Sequence, residues 1–321
     1  MPFIDTAPLV NQLVERELYS CLIVQHGVQI LDYYREPDKK EIPLKINSCT
    51  KSILSSLVSI AIDQGIMPAP DTAISTFFPQ LHTDPDPRKA QITIEQLLTM
   101  SAGFNWTEFG GQHSFPTMSK TSNWIDFVLS QPLVHEPGTV MEYNSGCSQL
   151  LATILAQTSG QSVASFAEQH LFTPLGITQY VWETDPQGVH TGGFGLQLPP
   201  SAMLQFGLLY LHKGKIDNQQ YIQSSTVEHA TSPLIAVDSP QKAHYGWHWW
   251  HSSFTLDSQP KVDIPYYYAL GFGGQYIVVV PSYELVVTVS ADRFKRKRTP
   301  LDVFRDFVVP LLENVNNTTA N

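Results

Sequence analysis

Ser48-Cys49-Thr50-Lys51 opens an apolar run, Ser52-Ile53-Leu54-Ser55-Ser56-Leu57-Val58-Ser59-Ile60-Ala61-Ile62-Asp63-Gln64. The run is apolar nearly all round, which marks a helix buried at the centre of a molecule. Ser48 stands at its start, where backbone N–H groups lack partners within the helix and the dipole favours negative charge. Lys51, three residues on, shares the face of Ser48. A buried, neutral lysine there can take the serine proton and turn a weak nucleophile into a strong one, for acyl transfer through a covalent serine ester. Alone, S-x-x-K is a weak signal, because most copies of it are surface helix positions.

The rest of the chain bounds what that serine could serve. With 321 residues, 42% hydrophobic and 15% charged, it can bury a sizeable core as one large domain or two packed ones. A net charge of −10 argues against general nucleic-acid binding. The basic run Arg293 to Arg298 reads as a solvated loop. No apolar stretch reaches membrane-spanning length. No basic stretch precedes an apolar one near Met1, so a cytoplasmic location is expected. The three cysteines, Cys21, Cys49 and Cys147, are an odd, sparse set that fits free thiols. His244, His248 and His251 alternate with Trp247, Trp249 and Trp250. No cysteine or acidic cluster joins them, so they read as an aromatic-rich strand or cleft wall, and neither metal nor cofactor is expected. Trp106, His113 and Trp182 are candidates for an apolar acyl pocket.

Thr6 to Leu18 reads as an amphipathic helix, and Cys21 to Gln25 with Val28 to Tyr33 as a hairpin around His26-Gly27. From Ser48 to about Gly176 helical patterns dominate, at Thr93 to Met100, Thr121 to Ser130, Ser148 to Gly160 and Val163 to Leu171, punctuated by Gly and Pro. From Tyr266 the pattern changes to β-branched and aromatic runs: Tyr266 to Leu270, Tyr276 to Val280 and Leu285 to Ser290. A helix from Pro300 to Val315 closes the chain. Strands at both ends with helices between predict an α+β fold, with an antiparallel sheet built from both termini and a mostly helical insertion. The expected division is 1–46 with 232–321 for the sheet part and 47–231 for the insertion, with the site between them.

Two further stretches could meet Ser48. Tyr143, in Glu142-Tyr143-Asn144-Ser145, stands in a loop just before a helix, where a tyrosine could relay protons to a leaving group, as phenolate or as phenol. Read alone, it is more simply a buried tyrosine in a turn. Gly271-Phe272-Gly273-Gly274-Gln275 separates two strands. Its glycines let backbone approach a ligand, and a backbone N–H there could pair with that of Ser48 as an oxyanion hole. A plain hairpin turn is the simpler alternative.

Taken together, these motifs resemble the serine β-lactamase and penicillin-binding-protein superfamily, in its branch of class C β-lactamase-like hydrolases, esterases and nylon-oligomer hydrolases. S-x-x-K is Ser48 to Lys51. Ile94 to Gly103 is similar to the family's segment between the first two motifs, Glu136-Pro137-Gly138 leads into the tyrosine of Y-x-N at Tyr143, and Pro174-Leu175-Gly176-Ile177 also matches. The resemblance implies a β-lactamase/transpeptidase-like fold and an acyl-enzyme mechanism. Ser48 is then the nucleophile, Lys51 the base and Tyr143 the partner acid/base. Ala269-Leu270-Gly271 fills the third motif, with the N–H of Phe272 completing the oxyanion hole. Two positions depart from the pattern. Ser145 stands where an amide is common and is expected to contact Lys51 or substrate. The third motif lacks its Lys or His. His190-Thr191-Gly192 spells that motif elsewhere, but no paired strands follow it, and at most it lines the site as a loop. The expected activity is hydrolysis of a small carboxylic ester or amide. A β-lactamase or D-Ala-D-Ala-type peptidase is the first alternative, and a silent binding module on the same fold is the second. The sequence leaves the oligomeric state open.

Overall fold

The computed structural model describes residues 3–16, 18–238, 242–291 and 303–313. The basic run Arg293 to Arg298 and both ends of the closing helix lie outside them. Its centre is an eight-stranded antiparallel sheet in the order Val28–Tyr34, Ser20–Gln25, Leu285–Ser290, Gln275–Val280, Gln259–Gly271, Trp250–Leu256, Ala243–Tyr245, Ile235–Val237. The N-terminal hairpin joins the C-terminal strands edge to edge, with Ser20 opposite Ser290 and Gln25 opposite Leu285. His26 and Gly27, both at positive φ, make the two-residue turn that matches strand twist.

Side chains alternate across these strands, and each face is buried by different helices. Leu22, Val24, Ala269, Ile277, Val279 and Val286 face the helical insertion. Cys21, Ile23, Tyr276, Val278, Val280 and Val287 face the other way, onto Leu9 and Leu13 of the helix Ala7–Glu15 and onto Phe304, Val308 and Leu312 of the closing helix. Each such aliphatic side chain contributes about 2 kcal/mol by leaving water. The sheet is therefore the middle of three layers.

The insertion is built on the helix Thr50–Asp63, buried along its whole length from Thr50 to Ala61. Three of its four serines are satisfied inside the core: Ser52 donates to His248 O at 2.7 Å, Ser55 to Trp247 O at 2.7 Å and Ser56 to Ser52 O at 2.9 Å, whereas Ser59 Oγ has no partner among the described residues. The second long helix, Ser145–Ser159, starts three residues earlier than its apolar pattern suggests. The Asn144 carboxamide caps it, accepting from Gly146 N at 2.7 Å and Cys147 N at 3.2 Å. Between these two helices the helical pattern yields only short pieces such as Ile94–Leu98 and Trp124–Leu129, each begun by a side-chain cap, at Thr93 and Asn123. The strand expected at Tyr266 to Leu270 is longer, because the polar stretch from Gln259 pairs with Trp250–Leu256. After Gly195 the chain forms a short strand, Leu196–Leu198, before the helix Pro200–Leu211. No described helix is long and apolar enough to cross a membrane.

Candidate active site

Ser48 lies in a single 3-10 turn, Asn47–Cys49, that runs directly into the helix Thr50–Asp63. Asn47 has φ +47°, a left-handed conformation that Asn tolerates better than most residues. Its amide donates to Phe272 O at 2.5 Å, which ties the serine turn to the end of the strand Gln259–Gly271. Cys49, the neighbouring thiol, is fully buried, and burial pushes its pKa up, so it sits in the core as an inert protonated thiol.

Lys51 is 1% exposed. Its ammonium nitrogen is 3.3 Å from Ser48 Oγ, 2.9 Å from Ser145 Oγ and 2.8 Å from Gly193 O. Burial lowers its pKa to about 8, partly opposed by the charge of Glu108. About one lysine in ten is then neutral at pH 7, against a negligible fraction for a solvated lysine. The half-buried Ser48 hydroxyl thus meets a nitrogen that can carry a free lone pair.

Tyr143 lies between the sheet and Lys51. Its ring stacks on Trp250 at 5.9 Å and meets Tyr245 edge-on at 6.4 Å. Lys51 Nζ lies 4.7 Å from the ring centroid. Burial, and next the charge of Glu108, push the phenol well above its ordinary pKa, while a hydrogen bond with Ser48 pulls the other way. Of the two forms open to it in the sequence, phenolate and phenol, the site therefore keeps the phenol. The stack continues through Trp250 and Tyr268, 6.2 Å apart, to Tyr276 at 5.3 Å, so the aromatic-rich strand holds the tyrosine in place.

The strand end is different in character. A Cβ on Gly271 would lie 2.3 Å from Ile46 O, so only glycine lets this strand pass so close to the serine turn. Phe272 follows it and is 56% exposed, its ring 5.9 Å from that of the exposed Phe109. Ala269, expected in place of the third motif's cation, is buried on the sheet face that packs against the insertion.

Several contributors have no sequence signature. Glu108 Oε1 accepts the Ser145 hydroxyl, and its Oε2 accepts Ser145 N–H at 3.0 Å and Trp106 Nε1–H at 2.9 Å. One acidic residue in a polar loop, with no fixed spacing to the motifs, carries no pattern that could announce it. The His190-Thr191-Gly192 loop does line the site, through Gly193 O. A Cβ on Gly193 would lie 3.1 Å from Lys51 Nζ, and one on Gly192 2.0 Å from Ser148 O. Other expected groups go elsewhere. Trp106 and Trp182 are buried core residues rather than the walls of an open pocket. The three histidines do not converge. His248 is buried between Ser148 Oγ at 3.0 Å and Leu98 O at 2.8 Å, its pKa pushed down to about 3 by burial and by Lys51, while His244 and His251 pair edge-on with centroids 6.4 Å apart. Among the described residues no cluster of three or more His, Cys, Asp or Glu side chains is placed to hold a metal ion.

The family model for Beta-lactamase matches residues 9–308. A solved structure from Bacillus anthracis, assigned as a 6-aminohexanoate-dimer hydrolase, has a TM-score of 0.80 at 18% identity over 96% of this chain and 82% of that one. A class C β-lactamase from Rhodobacter sphaeroides has a TM-score of 0.70 at 17% identity over 97% and 99% of the two chains. Lovastatin esterase from Penicillium rubens is 24% identical over 169 residues, 46% of this chain and 42% of that protein. The chain spans between 31% and 42% of the length of such curated relatives. At these identities the structural likeness speaks for the fold. With a family match over nearly its whole length, and with that fold around the S-x-x-K turn, the chain belongs to the β-lactamase family, among hydrolases.

Proposed function

We propose that the chain is a serine hydrolase that needs no metal and acts through an acyl-enzyme on a small carboxylic ester or amide. The reaction takes place between the sheet part (1–46 and 232–321) and the insertion (47–231). The observation that carries this is the buried Lys51 nitrogen, held by two hydroxyls and a carbonyl, 3.3 Å from Ser48 Oγ. Neutral Lys51 takes the Ser48 proton as Oγ attacks the carbonyl carbon. The backbone N–H groups of Ser48 and Phe272 hold the oxyanion. Tyr143 gives its proton to the leaving alkoxide or amine and is reprotonated by Lys51, which restores the neutral amine. A water then attacks the ester, its proton passing through the same pair to Ser48 Oγ as the carboxylic acid leaves, which restores the serine hydroxyl. The hydrolase neighbours, by their names a lovastatin esterase and a 6-aminohexanoate-dimer hydrolase, support this substrate range.

A β-lactamase or D-Ala-D-Ala-type peptidase would share this machinery. The uncharged stretch Ala269 to Gln275 weighs against it. A silent binding module would have no use for a lysine desolvated beside a serine.

The test is covalent labelling by a fluorophosphonate, read by intact-mass and peptide mass spectrometry, beside a hydrolysis panel of p-nitrophenyl esters, nitrocefin and short amide oligomers. One adduct on Ser48 in the wild type and in Cys49→Ser, and none in a folded Ser48→Ala, is the expected result. An adduct that survives Ser48→Ala removes Ser48 as the nucleophile.

A further inference from the structure

Glu108 acts on Lys51 through Ser145, and what each group can donate decides how. Gly193 O only accepts. The Ser145 hydroxyl has one proton, and a carboxylate, which only accepts, takes it at Glu108 Oε1. Glu108 Oε2 takes Ser145 N–H at 3.0 Å and Trp106 Nε1–H at 2.9 Å, so both oxygens are fixed. Ser145 Oγ can therefore offer Lys51 only a lone pair. A neutral amine has two hydrogens and one lone pair. Its hydrogens go to Gly193 O at 2.8 Å and Ser145 Oγ at 2.9 Å, and its lone pair is left facing Ser48 Oγ at 3.3 Å.

We propose that Glu108 is a positioning residue for acylation, which holds the Ser145 proton and so aims the free lone pair of Lys51 at Ser48. The proposal rests on Lys51 being the base for Ser48. Without the carboxylate, the Ser145 hydroxyl is free to turn its proton onto the Lys51 nitrogen and occupy the lone pair that Ser48 needs. A glutamine cannot substitute, because one amide oxygen does not serve three donors. The titratable groups that act on or face Lys51 are Glu108, Cys49 on its own turn, Cys147 on the helix Ser145–Ser159, the Tyr143 ring and His248. Among the described residues, Glu108 is the only carboxylate in this set. Its removal takes away a charge that stabilises the ammonium, so the folded protein should deprotonate Lys51 at lower pH.

The experiment measures pre-steady-state acylation by p-nitrophenyl butyrate from pH 6 to 10 in the full chain, for wild type, Glu108→Gln, Ser145→Ala and the double variant, with circular dichroism to verify folding. In Glu108→Gln the high-pH plateau should fall roughly ten- to hundredfold, the scale of a misaimed catalytic group, while the midpoint moves to lower pH. Ser145→Ala, which has no hydroxyl to aim, should lose a similar amount. Adding Glu108→Gln to it should cost less than about threefold more, because the groups act as a unit. An unchanged plateau, an unmoved midpoint or fully multiplicative losses in folded variants would overturn the proposal. If Glu108→Gln does not fold, Ser145→Ala alone decides, since wild-type acylation without that hydroxyl is incompatible with the relay. A wild type that labels at Ser48 but is indifferent to Glu108 sinks only this inference. A wild type that never labels at Ser48 sinks the function itself.

Discussion

The two walls of the cleft differ. The helical wall is enclosed at Lys51 and wired: Lys51 at 1% exposure has Ser48, Ser145 and Gly193 around it, and Ser145 in turn is held by the half-buried Glu108. The strand wall, from Ala269 to Gln275, carries no charge and presents Phe272 at 56% exposure across from Phe109. Burial is what lowers the basicity of a lysine until a useful fraction is neutral near pH 8, so on the proposed mechanism the lysine that moves protons must be enclosed. The wall that meets the substrate must stay open. On the proposed mechanism the contrast puts bond-making on one side and selection on the other, and it can be broken in steps.

Lys51→Met and Tyr143→Phe, on the enclosed wall, should each lower kcat by about two to four decades, as general acid–base groups do. Their double variant should lose far less than the product, measured with p-nitrophenyl butyrate. Multiplicative losses would show two independent devices instead of one.

Gly271→Ala attacks the join between the walls. The added methyl meets Ile46 O at 2.3 Å, so the strand must back away from the Ser48 turn. A displacement near 1 Å costs about a hundredfold in kcat. A melting temperature close to wild type should accompany it if the damage is confined to the site. Wild-type kcat would show that Phe272 N–H does not hold the oxyanion.

The uncharged strand wall should disfavour substrates that carry a carboxylate. A hydrogen bond to a charged group is worth about 1.5–3 kcal/mol, roughly ten- to hundredfold in kcat/KM. Wild type should therefore prefer p-nitrophenyl butyrate to nitrocefin by a margin of that size. Ala269→Lys should not reverse the preference, because that side chain points into the packed layer beneath the sheet. A preference for nitrocefin would mean that a cation reaches the cleft from elsewhere.

The smallest effect is the pH dependence. On the proposed mechanism Lys51 works as the neutral amine, and its folded pKa lies near 8, below the ordinary lysine value. kcat/KM should thus rise with pH through a midpoint near 8 and gain about tenfold between pH 7 and its plateau. Tyr143, raised above its ordinary value, stays protonated across that window. A profile flat from pH 6 to 10 would remove Lys51 as the base.

The sequence by itself determined the parts whose signal is local. The S-x-x-K turn into an apolar helix, the alternating strands at both ends and the glycine-rich strand connection are short-range patterns, and each lies where it was expected, at Thr50–Asp63, Ser20–Gln25 and Gln275–Val280. The contact of Ser145 with Lys51 was legible for the same reason, since Ser145 stands two residues after a motif tyrosine. Only the tertiary structure decided which distant groups meet Lys51. Glu108 and Gly193 sit in loops where hydrogen bonds and close glycine approaches set the geometry, and neither leaves a periodic trace in sequence. It also decided the fate of residues that looked functional. Trp106, Trp182 and His248 went into the core because an aromatic or imidazole side chain with a satisfied polar atom is as stable there as at a site. Residue type and spacing fix what a side chain can do, whereas burial and hydrogen-bond partners, which arise only when the chain closes on itself, fix whether it does.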